Sequence, residues 1–470
     1  MACFRRFLSV LPLCLGLAAC AAGPNYQPPV AAAPPQWSAP LPHGGSTETL
    51  IGWWDGFGDP VLPQLLRLAE RDSPSLAKAW ANIQKARATL VTGQAAAWPS
   101  LTGSGSAQRA RAKADMGDTK IGNTLSSGLD ASWEIDVWGK VRRTGEAAEA
   151  RIQARTDDWH DARVSLAAEV ADTYVQYRAC RLLVNAYDDE ARSQRATAQA
   201  TAVSRAAGFT SPADNSLAQA SAASAQATLT AQQAECDVLV KTLVDLTGTA
   251  ESDLRPLLVQ SPDRLPRPSA FAVERVPAAA LAQRPDLASQ ERELAAASAE
   301  IGIAQADRYP SLSLGGSITR SGADLGSLLT TWLLGPTVSL PLLDGGKRAA
   351  AVDSARASYD YQSAAYRQGV RTALKEVEQA LVRLDGASRR TLDSEAAAQG
   401  YRDYFQAVDS NWRAGGASLL TREQARRDAL AAEITFITVQ RDQIQYWIAL
   451  YKALGGGWQP DAPAVPGEQS

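Results

Sequence analysis

Histidine is almost missing from this chain. His43 and His160 are the only two, and neither has a cysteine or carboxylate at metal-ligand spacing. No GxSxG elbow, Walker loop or dinucleotide fingerprint occurs, so enzyme chemistry has nothing to rest on and no cofactor or metal is expected. Basic residues do not exceed acidic ones: 47 Lys and Arg face 50 Asp and Glu, with no basic stripe, which removes nucleic acid as a partner. No segment offers the ~18 uncharged apolar residues of a transmembrane helix. Asp130, Glu134 and Asp136 could be read as an acid/base cluster, but their period-2 placement on the polar face of a strand makes a water-lined wall the better reading.

What is present begins with an export signal. Arg5 and Arg6 precede an apolar run from Phe7 to Leu17, and small residues end at Cys20. Leu17-Ala18-Ala19-Cys20 resembles the lipobox of bacterial lipoproteins, which implies cleavage before Cys20 and acylation there. The alternative is an ordinary secreted protein. Ala21, not Asp, follows the cysteine, which resembles an outer-membrane address. Seven prolines between Pro24 and Pro42 then predict an extended tether over residues 21–48 that contributes nothing to a core.

The stretch from Leu281 to Lys347 sets the plan. Leu312, Leu314, Gly316 and Ile318 alternate with Ser313, Gly315, Ser317 and Thr319, which predicts a two-faced strand. A second follows, with Val338, Leu340 and Leu342 opposite Thr337, Ser339 and Pro341. The same script lies 211 positions earlier, where Trp98 answers Tyr309 and Pro99-Ser100-Leu101 answers Pro310-Ser311-Leu312. There Leu125, Leu129, Trp133 and Ile135 alternate with Ser126, Asp130, Glu134 and Asp136. Beyond the hairpin the offset is 207, since Gly139-Lys140 matches Gly346-Lys347 and Gly208 matches Gly415. A tandem duplication accounts for both.

Between these landmarks the chain predicts helices. One runs from about Lys140 to Ala207 without proline, roughly 100 Å long. Trp159, Leu166, Val170, Tyr174 and Tyr177 form a single apolar stripe on it. Gly208, Ser211 and Pro212 break it and start a return helix to about Leu246; the second copy turns at Gly415 and Gly416. Cys180 and Cys236 lie 28 residues either side of Gly208, at similar heights in an antiparallel hairpin. The periplasm permits a disulfide, but the helix faces are not legible, and two separate buried thiols are the favoured reading.

Four strands cannot close a barrel, and an open edge in lipid would leave backbone groups unpaired. A trimer supplying twelve strands is the simplest closed, water-filled assembly. Trp98, Trp133, Trp138 and Tyr309 sit where an interfacial aromatic girdle belongs, though one or two could be core residues instead. The fold class expected is an α+β membrane protein: a trimeric 12-stranded transmembrane β-barrel continued by a 12-helix periplasmic α-barrel, with internal tandem duplication. A solid coiled-coil bundle would explain the helices but leave the strands without a home.

The order of Gly23-Pro24-Asn25-Tyr26, Trp53-Trp54, Phe57, Asp59-Pro60, Arg284-Pro285-Asp286-Leu287, Ile301-Gly302, Tyr309-Pro310-Ser311-Leu312, Gly335-Pro336 and Leu454-Gly455-Gly456-Gly457-Trp458 covers nearly all of the mature chain. It resembles the TolC-like outer-membrane factors, specifically the NodT-like lipoprotein branch of resistance-nodulation-division (RND) efflux systems. The resemblance implies a homotrimer in outer-membrane lipid that docks a periplasmic adaptor (membrane fusion) protein and an inner-membrane RND transporter. It also implies a periplasmic gate at the helix turns. Asp214 matches the acidic position after the first turn, and Trp412 stands where an aromatic gate residue belongs. The second turn holds Thr421 and Gln424 at the usual carboxylate positions, with Arg422 and Glu423 between them. Asp214, Trp412 and Glu423 are the gate candidates; a plain role for Asp214 at the helix start is equally open.

The expected domains are a signal peptide (1–19), a lipidated tether (20–59), a first repeat (60–248; strands near 100–111 and 125–136, turn near 208), a linker (249–276), a second repeat (277–457; strands near 311–320 and 333–342, turn near 415) and a tail (458–470). The expected function is the exit duct of an RND-type pump for drugs or small toxic solutes. A type I secretion channel and a non-porous coiled-coil scaffold are the alternatives.

Overall fold

A computed structural model of the chain describes residues 21–30, 33–39, 41, 52–113, 119–268, 270, 277–323 and 328–458. Cys20, with the signal before it, and His43 lie outside them. After a 3₁₀ turn at Trp53–Phe57, the elements in order are α1 (Leu62–Asp72), α2 (Pro74–Ala95), β1 (Ser100–Lys113), β2 (Thr119–Ile135), α3 (Lys140–Ala206) and α4 (Pro212–Thr247). There follow α5 (Glu251–Val259), α6 (Pro277–Leu281), α7 (Pro285–Ala306), β3 (Ser311–Ala323), β4 (Leu329–Ser339), α8 (Lys347–Arg413) and α9 (Leu419–Ala453). Both α3 and α8 are 67 residues long, roughly 100 Å, and neither contains a proline.

The chain forms two compact units, with α3 and α8 contributing to both. The first, residues 1–30, 80–157 and 288–368, contains an antiparallel sheet in the order β1-β2-β3-β4. Its strands reach further than the alternation predicts, because Thr119–Thr124 pairs with Gln108–Lys113 ahead of the expected start of β2. β4 begins before residue 333 and stops at Ser339, not at 342. Pro341 has no N–H to donate to a ladder, and its neighbours leave the sheet. In the helical part of this unit Ala147 and Ala150 of α3 pack on Ala296 and Ala299 of α7, and Arg151 and Arg155 pair with Glu300 and Glu293 across the same contact.

Gly23 and Gly302 show why two of the sequence landmarks are glycine. A Cβ on Gly23 would stand 2.3 Å from the Cα of Gly302, and Gly23 has φ 91°. The N-terminal segment is held here by Arg143, whose Nε donates to Ala22 O and whose Nη2 donates to Asn25 Oδ1.

The second unit, residues 31–79, 158–287 and 369–470, holds the main core. Trp53 stacks on Tyr451 with ring centroids 5.0 Å apart, over Phe57, Leu62, Leu65, Val170, Tyr174, Leu243, Leu254 and Leu381. Full burial of each such side chain is worth about 1.5–3 kcal/mol. The predicted stripe on α3 is the buried face: Leu166, Val170, Tyr174 and Tyr177 are core residues, and Trp159 packs against them.

Two expectations fail in this unit. The tether does contribute to the core: Trp37 is only 7% exposed and lies in the main cluster, and Trp53 and Phe57 are almost wholly buried. Glu378 fixes that segment by accepting from the backbone N–H of Ser38 and of Ala39 at 2.7 and 2.9 Å. A proline-rich segment needs no ladder bonds to dock; here the two oxygens of the Glu378 carboxylate and the apolar contacts of Trp37, Ala39 and Leu41 hold it. The region 249–276 is likewise not plain linker, since α5 forms despite Pro256. Glu251 and Asp253 favour its N-terminus, and Leu254 and Leu258, one turn apart, are both buried.

Candidate functional site

The sheet places every described side chain on one of two faces. The register sets Leu101, Leu129, Ile318 and Trp332 on the same side, with Trp133 beside Leu314 and Leu334 beside Gly316. The other side carries Thr102, Ser106, Ser126, Asp130, Glu134, Ser313, Ser317, Thr319 and Thr337. Ser106 and Ser126 share a 2.8 Å hydrogen bond across that polar side. Leu333, opposite Ser317, is an apolar exception on it. Asp130 and Glu134 are the only charged groups among the described side chains of this face.

The apolar side is open. Trp332 is 76% exposed and Leu334 is 70% exposed. Among the described residues β1 and β4 each pair on one side only, which leaves the sheet with two free edges. Pro336 sits on one of these, the position a sheet tolerates for proline.

At the helix end of the sheet, Trp138 and Tyr309 stack with centroids 4.6 Å apart. Trp138 Nε1 donates to Pro310 O at 2.8 Å, and Trp133 Nε1 donates to Ala97 O at 2.9 Å. Trp98 is exposed. These four rings, apolar in body and polar at one end, line the boundary between strands and helices.

The second place of interest is the pair of helix turns, both in the second unit. Gly208 N–H bonds to Arg205 O and Phe209 N–H to Ser204 O; Gly415 N–H bonds to Trp412 O and Gly416 N–H to Asn411 O. This is the same C-terminal stop twice, with φ 82° at Gly208 and 80° at Gly415. Each return helix is then capped alike. Ser211 Oγ accepts from Asp214 N–H at 3.0 Å, and Ser418 Oγ accepts from Thr421 N–H at 3.1 Å.

The gate candidates divide. Asp214 is exposed, and its carboxylate accepts from Ser211 Oγ at 2.7 Å, a reciprocal cap that satisfies the plain helix-start role. Trp412 lies under the Arg422 guanidinium, 4.7 Å from ring centroid to Cζ. Glu423, by contrast, faces inward. It is 7% exposed, accepts from Arg422 Nη1 at 2.8 Å and from Thr197 Oγ1 at 3.2 Å, and pairs with Arg426, which also binds Glu190. Glu423 therefore ties α9 to α3 within one chain. Asp214 has no hydrogen bond to this cluster among the described residues.

Sequence reasoning missed Arg422, Arg426, Glu190 and Thr197 as a connected set. The signal available was Glu423 three residues ahead of Arg426 on one helix face. A cavity of about 520 Å³ opens beside the cluster, lined by Thr197, Thr201, Ser204, Trp412, Leu419 and Arg422.

Cys180 and Cys236 are bridged, which overturns the favoured reading of two separate thiols. Their Cα atoms are 5.7 Å apart, within bridging range, because the two helix faces that the sequence left undetermined meet at this height.

The family model for outer membrane efflux proteins matches residues 65–249 and again 276–456. The chain is 30% identical to the pyoverdine export outer membrane protein OpmQ of Pseudomonas putida over 97% of its length and 99% of that protein's. It is also 30% identical to the solvent efflux pump outer membrane protein SrpC of Pseudomonas putida, over 94% and 97% of the two chains. Among solved structures, that of the outer-membrane channel OprN superposes with a TM-score of 0.81 at 28% identity, covering 93% of this chain and all of that one. Two matches to one family model, a four-stranded two-faced sheet and two capped helix turns agree: the chain belongs to the outer membrane efflux protein family of TolC-like channels.

Proposed function

We propose that this outer membrane efflux protein works as the passive exit duct of a tripartite RND-type pump, expelling drugs or other small toxic solutes. The observation that carries the reading is the sheet: four strands, one apolar face, one polar face and two unpaired edges. Lipid covers the apolar face, and the edges close only against other copies of the same sheet. Three chains give a twelve-stranded barrel, and their helices give a twelve-helix tunnel on the periplasmic side. The equal lengths of α3 and α8 support a tandem duplication, with repeats over 60–248 and 277–457.

A periplasmic adaptor docks at the helix turns, beside the groove lined by Trp412 and Arg422. Asp214 and Trp412 help close the tunnel mouth, while Glu423 holds the helices that carry it. Cys20 anchors the chain by acylation, and palmitate labelling lost in Cys20→Ser tests that step. Deleting the gene and restoring it in trans tests the whole: the deletion raises intracellular accumulation of dyes and antibiotics, and complementation reverses it. Unchanged accumulation of every pump substrate, with the protein present in wild-type cells, would sink the proposal.

A further inference from the structure

Above the apolar band the same outer face of the sheet turns basic. On β2 the apolar positions run from Ile135 to Leu125, about 33 Å along the strand, which at a barrel tilt of ~40° is about 25 Å of height, the thickness of a lipid-facing band. Beyond Leu125 the facing positions are Asn123, with Arg109 directly opposite on β1, and then Ile121 opposite Arg111. The apolar run is shorter on β3: it stops at Ile318, and the next residue on that face, Arg320, stands between Ser127 on β2 and Thr330 on β4, two positions short of the level of Leu125, so the basic positions follow the end of each strand's own apolar run and not one height. Arg109, Arg111 and Arg320 are all exposed. No carboxylate stands on this face among the described residues, and none of the three arginines has an ion-pair partner there.

An arginine pointing into hydrocarbon is costly, and one at the rim is not, because its stem lies along apolar surface while the guanidinium reaches the headgroups. The aromatic rings Trp133, Trp138 and Tyr309 mark the opposite end of the band, so the three arginines belong to the rim away from the helices. A guanidinium fork matches phosphate oxygens in pairs, and three of them on one side with no competing acid form an anion-selective rim.

We infer that Arg109, Arg111 and Arg320 form a docking rim for the phosphate headgroups of anionic outer-leaflet lipid, three arginines from each chain around the barrel. The inference rests on the membrane-barrel reading. Lipid held there both fixes the depth of the barrel and covers the ends of the strands next to the hairpin loops.

The test uses full-length protein in nanodiscs made from equal phosphatidylcholine and phosphatidylglycerol, with retained lipid counted by native mass spectrometry after detergent release. Wild type is expected to retain phosphatidylglycerol in preference, and each Arg→Gln substitution at 109, 111 or 320 to weaken that preference by about five-fold. Arg320→Lys, which keeps the charge but loses the fork, should keep only part of it, and Arg192→Gln, on a helix surface, should keep all of it. Inorganic phosphate added in solution separates an ion site from a lipid site: loss of the preference at millimolar phosphate would overturn the lipid assignment. Equal lipid retention by wild type and the triple Gln variant, both inserted in the bilayer, would overturn the inference alone. Failure of wild type to insert at all would instead overturn the barrel reading.

Discussion

Cys180 of α3 and Cys236 of α4 form a disulfide that joins the two helices of the first hairpin, 28 residues from its turn at Gly208 on either strand. Gln232 Nε2 donates to Cys180 Sγ at 3.0 Å, so the bridge is packed within the hairpin. A cross-link over 56 residues of chain removes disorder from the unfolded state worth about 2–4 kcal/mol. Cys180→Ala with Cys236→Ala should lower the denaturation midpoint accordingly, and wild type should show no alkylatable thiol at either position until reduced. Two fully alkylated cysteines in unreduced native protein would refute the bridge.

Asp59 and Arg178 make the most deeply buried ion pair among the described residues, at 2.5 Å with side chains 1% and 4% exposed. Asp59 also accepts from Val61 N–H and from the Tyr174 hydroxyl, each at 2.9 Å, so it starts α1 and pins it to α3. Removing one partner leaves a buried charge uncompensated. Asp59→Ala is expected to cost about 3–5 kcal/mol in equilibrium unfolding, and replacing both partners by apolar residues much less. A loss below about 1 kcal/mol for Asp59→Ala would show that water reaches the pair.

His160 packs between Trp159 and Trp458, with ring centroids at 5.1 and 6.0 Å. Burial, aided by the Arg163 charge, holds its imidazole below the usual value of 6.5. The unfolded chain therefore takes up the proton first, and the stability His160 permits at neutral pH begins to be lost as pH falls below 6.5 and goes on falling until the folded imidazole is itself protonated. Thermal unfolding between pH 7 and pH 5 should show a smaller drop in His160→Gln than in wild type. Parallel pH profiles for the two would contradict the assignment.

How much of this was legible varies with the physics. The strands were legible because a sheet with one apolar and one polar face must alternate, and residues 125–135 do. The helix turns were legible because Gly208 and Gly415 occupy conformations that other residues avoid, with Ser211 and Ser418 ready to cap. The disulfide was not, since similar height in a hairpin says nothing about helix face. Trp37 was hidden by the prolines around it, whereas Glu423 was legible as a candidate and its burial was not. Its burial is a three-dimensional fact set by Arg426 and Glu190.

The gate assignment now makes two different predictions. Asp214→Ala with Trp412→Ala should raise single-channel conductance or its frequency, together with sensitivity to large antibiotics. Glu423→Ala should instead destabilise the packing of α9 on α3 by about 3–5 kcal/mol, because Arg422 and Arg426 lose a buried partner. A destabilised Glu423 variant with unchanged conductance, beside an opened double variant, is the expected pattern. Unchanged conductance in a correctly assembled double variant would reject the gate.

The central claim is that copies of this chain enclose a water-filled path through the outer membrane. Purified full-length protein added to a planar lipid bilayer measures that path directly. Discrete, stepwise and cation-preferring conductance is expected, the preference arising from Asp130 and Glu134 on the polar face of each sheet. Asp130→Asn with Glu134→Gln should lower the cation preference by about two- to five-fold. An inserted, correctly folded assembly that passes no current under any voltage, even in the opened double variant, would contradict the claim.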